Sequence, residues 1–178
     1  MTQPLVDHFC RFVEGIVGRH CDEAGSVVKT YGRPIIDIFP SHLYSDYNGS
    51  REDLNYTMDR DPEYDRIAEL KRILQRVEEN LEIYQQRCDY SANNSMEEFV
   101  GTLRLVHWTM ALKYLIMARL AEKDSQAIKD LRKSMRYLAL MSPNPEEKVK
   151  EFQSDLCLIL LDSLRRTDDH TRSVLDLY

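Results

Sequence analysis

This chain of 178 residues lacks the local signatures of most chemistries. It has no Cys-x-x-Cys pair, no His-Glu-x-x-His or Glu-x-x-His motif, no glycine-rich phosphate loop and no Gly-x-Ser-x-Gly elbow, so the short-range marks of zinc sites, metallohydrolases, nucleotide binding and serine hydrolases are missing. Glycine is scarce: six residues, scattered, none set in a strained catalytic turn. No apolar run approaches the ~18 residues of a membrane span. The N-terminus, MTQPLVDHFC, has no basic stretch leading into an apolar core, as a secretory signal would. Positive charge is in deficit too, with 24 Lys and Arg against 30 Asp and Glu, a net charge of −6, which argues against a general affinity for polyanions. These absences predict a non-enzymatic protein with no cofactor and no membrane association, cytoplasmic or nuclear. A Ser/His/Asp arrangement gathered from distant positions is the one hydrolase route left open.

Cysteine is sparse as well. Cys10, Cys21, Cys88 and Cys157 are far apart, unlike the dense spacing of a small secreted disulfide scaffold, and free thiols are expected. The nearest approach to a metal cluster is His8, Cys10, His20, Cys21, Asp22 and Glu23. On one helix Cys10 and Cys21 would be separated by about 16 Å along the axis, too far to share an ion whose ligands sit about 2.0 to 2.3 Å away. His8 and Cys10 would point about 160° apart. No metal site is predicted. Asn48, Asn55 and Asn93 open N-x-[ST] triplets; without a secretory signal they read as polar loops.

What the chain does have is helical periodicity. At 43% apolar it can bury one core, and a single domain over 1–178 is expected. From Pro4 to about Cys21 the residues Leu5, Val6, Phe9, Phe12, Val13, Ile16 and Val17 fall at helical spacing. Gly15 and Gly18 each weaken such a helix by about 1 kcal/mol relative to Ala, so packing must hold it. SVVKTYGRPIIDIF follows, with Val and Ile on either side of Gly32-Arg33-Pro34, and predicts a small β-hairpin completing an N-terminal unit of 1–39. Residues 40–60 carry Tyr44, Tyr47 and Tyr56 among acids, an Asn-Gly pair and almost no aliphatics. They read as a tyrosine-rich acidic loop; plain linker is the favoured reading, with the three tyrosines as candidate partner contacts.

Asp61-Pro62-Glu63 is a helix start, and Ile67, Leu70, Leu74, Val77, Leu81 and Tyr84 make a seam to about Tyr90. SANNS breaks it and Ser95 caps the next helix. From Met96 to Leu120 apolar residues point in almost every direction, which marks that helix as central. Ser125 opens a further one, with Ile128, Leu131, Met135 and Leu138 in line. Asn144-Pro145-Glu146-Glu147 starts the last, which carries Val149, Phe152, Leu156, Ile159, Leu160 and Leu164; RTDDH then interrupts the pattern before a short tail, 167–178. Connections of a few residues make consecutive helices antiparallel neighbours. The fold class is therefore mainly α, an antiparallel helical bundle of four to six helices with its core in 61–166. The long seam is expected to pack within the chain, with one end protruding or meeting a second copy.

Three surface features stand out. His107 and Trp108 interrupt the central helix, and the favoured reading is a Trp anchoring the core with Arg104 and Lys113 at its margin. Lys129, Arg132, Lys133 and Arg136 gather on one side of a helix, able to meet phosphates or an acidic protein surface, although Asp130 interrupts the field and no aromatic run accompanies it. LCLILLDSL resembles short leucine-rich helices that dock in grooves or serve as export signals, with core packing the preferred reading. Together these features predict a regulatory, adaptor or inhibitory protein acting through protein–protein contacts on helix faces and the 40–60 loop, and self-association as a homodimer. Nucleic-acid binding through the 129–136 stripe is the alternative.

Overall fold

A computed structural model describes residues 4–32, 40–52 and 62–176. The described chain is α-helical, with no strand among the described residues. α1 (Pro4–Arg19) and α2 (Cys21–Val27) are followed by one π turn (Val28–Gly32) and then by α3 (Pro40–Glu52), α4 (Pro62–Ala92), α5 (Met96–Leu120), α6 (Asp124–Leu140) and α7 (Pro145–Asp176).

α5 is the centre. Leu105, Trp108, Leu112, Leu115 and Ile116 are buried on one side of it and Val106, Ala111 and Ala118 on others, and it packs against α1 to α4 and α6. Its start is fixed by Ser95, whose hydroxyl accepts the N–H of Glu98 at 3.3 Å, satisfying one of the donors a helix leaves free at its N-terminus. α4 runs antiparallel to α5: Arg87 meets Glu98 at 2.6 Å near the joining turn, and Lys113 meets Glu78 at 3.9 Å farther along. α6 runs antiparallel on another side, with Ser134 Oγ donating to the Ala111 carbonyl at 2.7 Å and Arg104 to the Met141 carbonyl at 2.8 Å. The α4 seam is thus covered within the chain over most of its length: Leu70, Ile73, Val77, Leu81, Tyr84 and Cys88 are buried against α5 and α3, while Ile67 near its N-terminal end is 40% exposed.

Three sequence expectations need correction. The first arm of the predicted hairpin is helical, since Val27 closes α2 and Val28–Gly32 form the π turn; the second arm, 33–39, lies outside the described residues. Helix is favoured there by packing, with Val28 buried in the core and Tyr31 against Gly101 of α5, where a Cβ would come within 3.2 Å of its ring. The predicted 40–60 loop is helical over Pro40–Glu52; the rest, Tyr56 included, lies outside the described residues. Finally, RTDDH does not interrupt the last helix, which continues to Asp176.

α3 is held by charge as much as by apolar burial. Tyr47, fully buried, donates a 2.5 Å hydrogen bond to Glu14 of α1. Arg119, at the end of α5, reaches the same Glu14 oxygen at 2.5 Å and Asp7 at 2.6 Å. Burial alone would favour an uncharged Arg119, yet the surrounding oxygens of Tyr47, Glu14 and Asp7 hold its guanidinium more firmly protonated than usual. Burial, reinforced by Glu14, likewise pushes the Tyr47 hydroxyl far above its ordinary range, so it stays a donor.

Candidate functional site

The four cations singled out on α6 are all exposed, but they do not act as one stripe. Lys133 leans over the ring of Tyr114 at 5.2 Å, which stacks on Tyr137 at 5.8 Å. Arg132 and Arg136, one turn apart, line a groove between α6 and α7. Lys129 lies on the same exposed surface, outside that groove. Asp130 is buried and accepts a hydrogen bond from Gln126 at 3.1 Å, so it does not interrupt the exposed positive field as the sequence pattern suggested.

The groove lies between α6 and α7, which residues 141–144 join. Phe152 holds the base, buried edge-on against Phe12 of α1 at 6.3 Å between ring centres. Beyond it Met135, Val149 and Leu156 form an apolar floor, Gln153 and Cys157 stand at one lip and Arg132 and Arg136 at the other, around about 520 Å³. No carboxylate lines it, and neither arginine has an ion-pair or hydrogen-bond partner among the described residues. The sequence displayed the cations and the leucines; the meeting of two guanidiniums with an apolar floor needs the α6–α7 crossing and was not legible.

α7 also carries apolar surface away from the groove. At 32 residues it is about 48 Å long against about 25 Å for the 17 residues of α6, so it outruns its support. Leu158 is 62% exposed and Leu161 56%. The core packing expected for LCLILLDSL therefore fails for these side chains: Leu161 lies about 180° around the helix from Phe152. Cys157, on the same turn, is exposed, whereas Cys10, Cys21 and Cys88 are buried.

The other sequence candidates go elsewhere. Tyr44 is half-buried and donates to the Glu14 carbonyl at 3.0 Å; Tyr47 is engaged as described. Neither hydroxyl is presented to a partner. Trp108 is fully buried and anchors the core. His107 packs on Tyr137, with no hydrogen-bond partner for Nδ1, and burial lowers its pKa. Among the described residues no cluster could hold a metal ion. A second cleft, about 450 Å³ between α2 and α3, gathers Cys21, Asp22, Ser26, Lys29, Ser41 and His42. Burial pushes the Cys21 thiol up to about 11, so near neutrality it is protonated and a poor nucleophile. No helix of the described residues is long and apolar enough to cross a membrane.

No protein-family model, no curated protein and no solved structure matches this chain.

Proposed function

We propose that this is a non-enzymatic regulatory or adaptor protein, of the kind that inhibits or recruits by occupying another protein, and that α6 and α7 are its working face. The helices form an antiparallel bundle whose interior is committed to packing, leaving the exterior to carry function. One observation supports this reading above the others: an apolar-floored groove is flanked by Arg132 and Arg136, neither paired among the described residues, while Leu158 and Leu161 stand exposed on another face of α7. Phenylalanine, methionine and arginine are enriched at protein interfaces, and arginine is among the residues that dominate their binding energy.

A photo-reactive phenylalanine at Gln153, beside the groove, and a control at exposed Glu122, at the α5–α6 turn, test this in cell extract. Protease-sensitive adducts from position 153, absent from position 122 and lost in Arg132→Glu/Arg136→Glu, are the expected result. Absence of adducts at 153 would overturn it. Nuclease-sensitive adducts would instead install the second reading, nucleic-acid binding, for which the exposure of Lys129, Arg132, Lys133 and Arg136 is the supporting observation.

A further inference from the structure

We propose that the α6–α7 groove receives a single amphipathic α-helix with acidic side chains along one flank, its apolar ridge on Met135, Val149, Phe152 and Leu156 and its carboxylates on Arg132 and Arg136. This rests on the protein-binding reading and names the class of partner.

The walls decide the backbone of the occupant. Both are α-helices whose main-chain groups are satisfied internally, so an extended segment finds no strand edge to join and would desolvate its own N–H and C=O groups on an apolar floor, at a cost of about 1–3 kcal/mol for each group left without a partner. A helix brings its hydrogen bonds with it and presents side chains at i, i+3, i+4 and i+7, the pattern such grooves read. The cations decide its charge. Arg132 and Arg136 are four residues apart, a rise of about 6 Å, which matches carboxylates one turn apart on a docked helix. Guanidinium suits bidentate capture of carboxylate.

The same features weigh against the other occupants. In a two-fold dimer centred on the groove, identical patches face each other, and with no acid in the lining neither arginine pair would meet a countercharge in the groove of the other copy. Such a pairing lacks the electrostatic complementarity that an acidic helix supplies. For a nucleic acid, the floor is apolar, and the one aromatic of the lining, Phe152, is only 4% exposed, so it offers no platform for base stacking.

The experiment uses the full chain and three designed 18-residue fluorescent peptides, read by anisotropy. One is helical with a leucine ridge and flanking glutamates; one has lysine in place of every glutamate; one is the acidic peptide broken by two prolines. The acidic helix is expected to bind at least about tenfold more tightly than the lysine helix, to lose binding when broken by proline, and to shield Cys157 from a thiol reagent that leaves the buried cysteines untouched. Arg132→Glu/Arg136→Glu changes only exposed side chains and should fold, as circular dichroism would show; it is expected to reverse the order of the two helical peptides. Equal binding of both, no reversal, or equal binding of the proline-broken peptide overturns the proposal. So does shielding of Cys157 without peptide that rises with protein concentration, which would assign the face to a second copy, or displacement of the acidic helix by single-stranded RNA. Protein adducts at position 153 together with no affinity for the acidic helix would overturn this inference and leave the protein-binding reading standing.

Discussion

The indole N–H of Trp108 donates a 3.0 Å hydrogen bond to the carbonyl of Val17, 91 residues earlier in the chain. The chain turns from α1 into α2 at His20, and this bond takes up a carbonyl at that junction deep in the core. Trp108→Phe preserves a ring but leaves the carbonyl buried without its donor, so a loss of about 1–3 kcal/mol is expected; Trp108→Ala adds a cavity and should cost about 3–5 kcal/mol. Urea denaturation followed by circular dichroism measures both, and an unchanged midpoint for Trp108→Phe would refute the role given to the bond.

Arg119 is nearly inaccessible and serves Asp7, Glu14 and Tyr47 together. Arg119→Met takes from buried Glu14 the guanidinium that meets it at 2.5 Å, and a loss of about 3–5 kcal/mol is expected. Adding Glu14→Leu and Tyr47→Phe together should recover much of it, because an apolar set of similar volume does not have to be desolvated as ions and leaves no Tyr47 hydroxyl without its acceptor. A triple variant no more stable than the single one would contradict this.

Gly15 and Gly18 sit in the same helix and should respond oppositely to alanine. A Cβ at exposed Gly15 meets nothing within 4 Å, so Gly15→Ala is expected to stabilise by about 0.5–1 kcal/mol. A Cβ at Gly18 would lie 2.7 Å from the Tyr44 hydroxyl and displace its bond to the Glu14 carbonyl, so Gly18→Ala is expected to cost about 1 kcal/mol. That loss should shrink in a Tyr44→Phe background. Thermal melts of the parent, the three single variants and Gly18→Ala/Tyr44→Phe decide it.

His107 gives the fold a dependence on acid. Burial lowers its pKa below 6.5 in the native chain, while the unfolded chain titrates near the ordinary value. Above about 6.5 neither state binds the proton and stability is unaffected; as pH falls below it the unfolded chain is protonated and the native chain is not, so stability declines until the native pKa is reached. Asp7 acts in a separate window: Arg119 outweighs the effect of burial and holds its carboxyl below 3.8, so its contribution is complete above that value and fades as pH falls through the native one. Tm at about pH 7.5 and about pH 5.5 should differ less for His107→Phe than for the parent.

The periodic helices were legible because their signal is local. Leu70, Val77, Leu81 and Tyr84 mark the buried face of α4 at their spacing alone, and Leu105, Val106, Trp108, Leu112, Leu115 and Ile116 announce a helix covered on several sides. α3 was not legible: its composition is polar, it holds Asn48-Gly49, and only Leu43, Tyr44 and Tyr47 hint at a face. What makes it helical is tertiary, the reach of Tyr47 to Glu14 and of Asp46 to Arg76 at 2.7 Å, and context of that kind overrides propensity. Val27 and Val28 misled in the same way, as β-branched residues whose helical state is set by α5. At the site the residue types were visible, but their division was not: one sequence stripe sends Arg132 and Arg136 to α7 and Lys133 to Tyr114.

Two of the bonds that fasten α1 reach forward 91 residues to Trp108 and 105 to Arg119, whereas α4, α5 and α6 meet neighbours a short turn away. During synthesis α1 leaves the ribosome well before α5 and is completed only after it. Its oily side, with Val13, Ile16 and Val17 destined for the interior, stays unclaimed until α5 has followed it out, while the three-helix hairpin can close on itself at once. The N-terminal helix is the point at which a nascent copy is most open to a chaperone, or to the wrong neighbour.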